Sequence, residues 1–142
     1  MDLVTPEKIA SVMALQPVPH SFAELDERVA SGLPKDALKA SVDQVCLGSE
    51  ERKRLLYRIV PEATYKRRRL TLSADESGRA ERLARIFATS AYVWNSDDDA
   101  RAFLGAPHPM LKGQTPLEVS MTELGARRVE ELLWRLYYGI AA

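Results

Sequence analysis

Apolar residues along the chain recur three and four positions apart from one end to the other, and that spacing predicts helices almost throughout. Thr5-Pro6-Glu7 reads as a helix start running to about Leu15, and Gln16-Pro17-Val18-Pro19 ends it. The two prolines mark a hinge or flexible arm. Ser21 followed by Glu24 is a capping box for a helix over residues 22–31, with Gly32 at the C-terminal cap and Phe22, Leu25 and Val29 as its apolar stripe. Pro34 begins a helix in which Ala37, Leu38, Val42 and Val45 face one way, and Gly48 ends it. Ser49 then caps residues 50–59, with Leu55, Leu56 and Ile59 inward.

Pro61 forces a break, and a short helix after it carries Lys66, Arg67, Arg68 and Arg69 in succession. Two short helices joined by a tight turn, the second basic, fit a helix-turn-helix whose second helix reads DNA. Thr64, Tyr65 and Lys66 then lie where base edges are reached, and the arginines serve bases or phosphates. The plain alternative keeps Tyr65 in the core and lets the arginines pair with nearby acids.

A second capping box, Ser73 with Glu76, opens the longest helix, residues 75–94. Ala80, Leu83, Ala84, Phe87, Ala91 and Trp94 line one face, and the rise of about 1.5 Å per residue gives it a length of roughly 30 Å. Ser96 caps a helix whose first turn is Asp97-Asp98-Asp99 and whose end is Gly105, followed by the stiff loop Ala106-Pro107-His108-Pro109. The helix dipole accounts for three aspartates at that terminus without a metal ion.

The stretch from Leu111 to Gly125 carries the densest backbone instructions. Gly113 suits a turn with positive φ. Thr115-Pro116-Leu117-Glu118 is a helix start, and Thr122-Glu123-Leu124 is another only seven residues later. The helix it opens runs to about Tyr138, with Val129, Leu132, Leu133 and Leu136 inward and Leu124 helping at its start. Trp134, Tyr137 and Tyr138 spread over further faces, so they either close the protein's own core or anchor a contact with another molecule.

Composition narrows the class. A hydrophobic fraction of 46% fills a core, yet no apolar run approaches the ~20 residues that span a bilayer. The first ten residues lack the pattern of a signal peptide. Cys46 is the only cysteine, which excludes an intrachain disulfide and suits a reducing compartment, so a cytoplasmic protein is expected. Net charge is zero but uneven. Residues 50–69 hold eight basic against three acidic side chains, whereas residues 97–142 hold seven acidic against five basic. A basic block in a neutral chain fits a polyanion-binding half joined to a half with another task. Its bland counterpart is a solvated helix face.

Motifs for phosphate cradles, zinc proteases and serine hydrolases are absent, and the two histidines, His20 and His108, sit beside prolines. No enzymatic activity, no cofactor and no metal are expected.

Residues 83–140 resemble the C-terminal toxin-binding domain of the Xre/MbcA/ParS antitoxins. The matching pieces are Arg82 through Ile86, Ala100 through Leu104, Pro107 through Leu117, Thr122 through Ala126, and Val129 through Leu133 with Gly139. Upstream, Gly32-Leu33-Pro34, Thr64 through Arg68, and Leu72-Ser73 look like the Xre-type helix-turn-helix half of that family. This chain has Phe103 where the family usually has Trp, and His108 where it usually has Asn, so a side-chain bond of that Asn is not carried over.

The resemblance implies an all-α chain with an N-terminal arm and short helix over 1–20, a helix-turn-helix domain over 21–72 and a toxin-binding domain over 73–142. It implies an antitoxin partnered by a RES-domain toxin, a fold related to ADP-ribosyltransferases that uses NAD. The DNA-binding residues are then Thr64, Tyr65, Lys66, Arg67, Arg68 and Arg69. The toxin-binding residues are Arg128, Trp134, Arg135, Tyr137, Tyr138, Gly139, Ile140, Ala141 and Ala142. Gly113, Thr115, Pro116, Thr122, Glu123 and Gly125 form the structural connector. Operator DNA and a homodimer within a larger toxin–antitoxin complex are the further expected partners. The alternative is a stand-alone DNA-binding regulator whose C-terminal half only dimerises.

Overall fold

The structure, a computed structural model, describes residues 3–139. Among these residues it is all-helical, with nine α-helices, no β-strand and one isolated antiparallel bridge between Pro34 and Thr71. The helices are α1 (Pro6–Val12), α2 (Phe22–Ser31), α3 (Lys35–Val45), α4 (Ser49–Ile59), α5 (Glu62–Arg67), α6 (Ala74–Trp94), α7 (Asp97–Gly105), α8 (Pro116–Val119) and α9 (Glu123–Tyr137). A 3₁₀ turn, Pro109–Leu111, lies between α7 and α8. The chain divides into two compact units, Met1–Ala84 and Arg85–Ala142, with the division inside α6.

In the first unit α1 starts where Thr5 and Pro6 place it, the Thr5 hydroxyl accepting from the Lys8 amide. It ends at Val12, three residues short of the expected end, because Ala14 turns left-handed at φ 50° and the Leu15 amide bonds back to the Ala10 carbonyl. The proline segment after it is not a flexible arm. Arg28 donates to the carbonyls of Pro17 and Gln16 at 2.7 and 3.1 Å, and Pro19 is buried. Ile9, Met13 and Leu15 are buried as well.

Leu38, Val42 and Val45 of α3 and Leu55 and Ile59 of α4 fill the core of this unit as their spacing predicts, with Leu33 at 0% exposure just before α3. Phe22 departs from its expected place: it is 44% exposed, while Leu25 alone of α2 is buried. Gly48 begins α4 and does not end α3, which stops at Val45. Gly32 adopts φ +96°, and a Cβ there would stand 2.6 Å from the Leu72 carbonyl oxygen. That close approach lets Leu72 donate to the Leu33 carbonyl at 2.8 Å and Lys35 donate to the Leu70 carbonyl at 2.9 Å. The Ser77 hydroxyl then accepts from the Leu33 amide, satisfying a fully buried donor.

In the second unit Ile86, Phe87, Leu104, Val129 and Leu133 form the core. Ser96 caps α7 through the Asp99 amide, and Asp97, Asp98 and Asp99 fill its first turn. Thr115 caps α8 by accepting from Glu118, and Thr122 caps α9 by accepting from Gly125. Leu124 does not help the core: it is 73% exposed, because Gly125 and Ala126 are the residues of that turn that face inward. Gly113 has φ +79° with open space around it. Gly125 is required for the opposite reason. A Cβ there would lie 1.7 Å from the Val119 carbonyl oxygen, so α8 and α9 meet backbone to backbone.

Candidate functional site

The basic helix α5 is six residues long, too short to persist without tertiary support. Its support is specific. The Tyr65 ring is buried and meets Tyr57 edge-on at 6.2 Å, and burial pushes its phenol up from the ordinary value. Lys35 Nζ lies 4.2 Å from the centre of the Tyr65 ring and donates to the carbonyls of Tyr65 and Arg68 at 2.9 and 3.0 Å. Arg68 is turned inward too, its guanidinium donating to both oxygens of Glu76 at 3.0 and 3.1 Å.

What faces outward is the remainder. Lys66, Arg67 and Arg69 are exposed, and Thr64 is half-buried and accepts from Arg67 at 3.3 Å. Lys66 pairs with Glu62 one turn earlier at 2.9 Å, which holds the Glu62 carboxyl below its ordinary value. The six residues singled out in the sequence thus divide by direction. Lys66, Arg67 and Arg69 offer cations to solvent, whereas Tyr65 and Arg68 fasten the helix.

A second surface forms at the end of α9. Trp134 is half-buried, Tyr137 is 41% exposed and Tyr138 is 64% exposed. The Trp134 and Tyr137 rings stand at 5.7 Å and 88°, and Tyr137 and Tyr138 at 5.0 Å and 87°, both the edge-on geometry that aromatic pairs prefer. Tyr92 from the second-unit part of α6 joins them, 6.1 Å from Trp134 and 5.5 Å from Tyr137, with its hydroxyl 3.5 Å from that of Tyr137. Arg128 and Arg135 are exposed on the same helix, Arg135 within 3.5 Å of Glu131. Gly139 follows at φ +70°. Ile140, Ala141 and Ala142 lie outside the described residues.

The start of α9 is fixed by charge as well as by caps. Arg85 spans Glu123 at 3.3 Å and Glu130 at 3.0 Å. Burial nevertheless holds Glu130 above the ordinary carboxylate value, outweighing the pull of Arg85. Upstream in the connector, His108 Nδ1 accepts from the Met110 amide at 3.1 Å, so the imidazole caps the 3₁₀ turn. Pro116 is buried.

Among the described residues no group of three or more His, Cys, Asp or Glu side chains is placed to hold a metal ion. Nor is any helix long and apolar enough to cross a membrane.

Two family models match the chain in tandem: the antitoxin Xre-like helix-turn-helix domain over residues 24–85, and the antitoxin Xre/MbcA/ParS C-terminal toxin-binding domain over residues 90–139. A protein of Pseudomonas putida named antitoxin Xre is 30% identical over 135 residues, covering 92% of this chain and 82% of its own length. The chain belongs to the Xre/MbcA/ParS antitoxin family.

The antitoxin therefore carries a helix-turn-helix domain and a toxin-binding domain, and its role lies in a toxin–antitoxin system. All of α5 falls within the helix-turn-helix match, and the connector and α9 fall within the toxin-binding match. Two residues of the antitoxin escaped the sequence reading. Lys35 gave no signal, since a lone lysine after a proline reads as an exposed first turn. Tyr92 did leave one. It continues a stripe through Arg85, Ala88 and Thr89 at helical spacing, distinct from the Leu83–Phe87 stripe, and that stripe meets α9.

Proposed function

We propose that this antitoxin neutralises a RES-domain, NAD-using toxin by covering its active site with the end of α9 and the residues that follow, and that it represses its own operon through α5. The observation that carries the first part is the cluster of Tyr92, Trp134, Tyr137 and Tyr138. Four aromatic side chains share one surface of a domain whose family binds toxins, and two of them are exposed. Tyr and Trp are the side chains on which protein interfaces concentrate their energy. The mechanism is occlusion: the inhibitor needs no titrating or nucleophilic group. Ile140, Ala141 and Ala142 continue the chain beyond α9 with apolar side chains, which suit insertion into a partner's pocket.

The second part rests on the outward cations Lys66 and Arg67 of α5 and Arg69 just beyond its C-cap, with Thr64 beside them. Phosphates supply most of the affinity in such contacts and make it steeply salt-dependent.

Co-expression with the neighbouring reading frame, co-purification and an NAD-consumption assay test the toxin half. The expected result is a stable complex with silent NAD turnover, and turnover once the partner is freed. Removing residues 139–142 releases turnover while the complex still forms. Full neutralisation by the truncated chain would remove the tail from the mechanism. A chain that finds no toxin yet binds its promoter would instead be a plain DNA-binding regulator.

A further inference from the structure

The six residues of α5 need an outside hold, and the structure assigns that hold to Lys35, a positioning residue through which the DNA-binding helix is kept formed and aimed; this rests on the DNA-binding reading of α5. Lys35 stands at the first turn of α3, 27 positions before Glu62 in the chain, yet its ammonium lies against the C-terminal end of α5. The last carbonyls of a helix have no partner within it, and a cation there also meets the negative end of the helix dipole. The Tyr65 carbonyl already accepts from the Arg68 amide at 3.2 Å, and Lys35 adds a charged donor to it and to a further carbonyl that lies at the helix end. Lys35 donates to the carbonyl of Tyr65 inside α5 at 2.9 Å and to that of Arg68, the C-cap, at 3.0 Å.

The rest of its shell is arranged to keep it there. The Tyr65 ring lies below the ammonium, with the centroid 4.2 Å away, an attractive geometry for a cation over a π face. The Lys35 backbone is tied independently, its own amide donating to the Leu70 carbonyl at 2.9 Å, beside the Pro34–Thr71 bridge. The chain leaving α5 is therefore pinned to the chain entering α3, and the side chain reaches from that pin to the helix end. Two hydrogen bonds and a ring contact of the ammonium are made inside the protein. Lys35 holds the helix that meets DNA and does not itself touch DNA.

That distinction sets the test. The full-length chain and its Lys35→Met variant are titrated with a duplex from immediately upstream of the coding sequence, over a series of salt concentrations. Met keeps an unbranched side chain one atom shorter and removes the charge and its donors. The expected result is an affinity loss of roughly tenfold or more with the slope of log K against log salt unchanged, since charge-assisted hydrogen bonds are lost but no phosphate contact is. Lys66→Ala, by contrast, lowers the slope by about one. Amide exchange at Tyr65 and Arg68 quickens in Lys35→Met while α3 and α4 keep their protection, and Lys35→Arg restores part of both readouts. A fall in slope would make Lys35 a phosphate contact and overturn the assignment. Unchanged affinity with unchanged exchange would overturn it equally. If the unsubstituted chain fails to bind the duplex at any salt concentration, the DNA-binding reading falls, and the exchange data alone still report whether Lys35 holds α5.

Discussion

Arg68 and Glu76 face each other through two parallel hydrogen bonds of 3.0 and 3.1 Å, and the same carboxylate closes the capping box of α6 by accepting from the Ser73 amide at 2.8 Å. Ser73 reciprocates by accepting from the Glu76 amide at 3.2 Å. One side chain thus starts α6 and fastens the residue that ends α5. Removing it leaves the Ser73 donor and the Arg68 guanidinium without their partner. Glu76→Ala is expected to cost about 2 kcal/mol of stability, measured by denaturant unfolding of the full chain. A loss below a few tenths would show that the box is ornamental.

The charge state of that carboxylate gives a pH dependence with a definite sign. Its hydrogen bond with Arg68, foremost, holds Glu76 below its ordinary value of 4.5. A depressed carboxylate contributes stability that is present above the unfolded value and is lost as pH falls through the folded one. Glu130 in the second unit runs the other way. Burial holds it above 4.5, so its contribution is present below the unfolded value and is lost as pH rises through the folded one. Carboxyl NMR titration of the two side chains is expected to find Glu76 titrating below 4.5 and Glu130 above it. The reverse order would refute both environments.

Gly125→Ala separates propensity from packing. In an exposed helix the change would stabilise by up to ~1 kcal/mol. Here the new Cβ meets the Val119 carbonyl oxygen at 1.7 Å, so backbone must shift, and a destabilisation of about 3 kcal/mol is expected. Thermal unfolding decides the sign. A rise in Tm would mean that α8 and α9 are spaced more widely than they stand here.

His108 stands where the resemblance to the family leads one to expect Asn, and its Nδ1 accepts from the Met110 amide. His108→Asn is therefore expected to change stability little, and His108→Ala to lose about 1 kcal/mol, the ordinary worth of a cap. Equal losses for the two variants would assign the role of the imidazole to its ring contact with Phe103 at 6.2 Å.

For the aromatic cluster the expected outcome is a split between folding and binding. Tyr137→Ala or Tyr138→Ala weakens the complex with the toxin by about 2 kcal/mol, close to thirtyfold in Kd, as truncation of an interface anchor does. Because both rings are substantially exposed, the unfolding midpoint of the free chain stays nearly where it was. A parallel fall in stability would mean that these rings serve their own unit.

Most elements were legible in the sequence because their ends are written in short-range chemistry. Thr115 before Pro116, Thr122 three residues before Gly125, and Ser73 with Glu76 each name the amide they cap. The helical spacing of Leu38, Val42 and Val45 likewise identified the buried face of α3. Illegible were the places where a distant group decides. Nothing local tells that Arg28 holds the Pro17 segment, that Gly125 is forbidden a Cβ by Val119, or that Leu124 is passed over in favour of Ala126. The basic run from Lys66 to Arg69 was the subtlest case. Charge counted along the chain treats its members as equal, and only Glu76 distinguishes Arg68 from its neighbours.

That inequality within α5 bears on how such a chain diverges. Tyr65 and Arg68 fasten the helix end to other parts of the first unit, whereas Lys66 and Arg67 make exposed contacts within α5 and Arg69 is exposed beyond it. Exchanging exposed side chains away from such fastenings alters stability by no more than about half a kcal/mol. If α5 meets DNA as proposed, substitution of those three side chains would change what the helix recognises while the helix itself stays fastened.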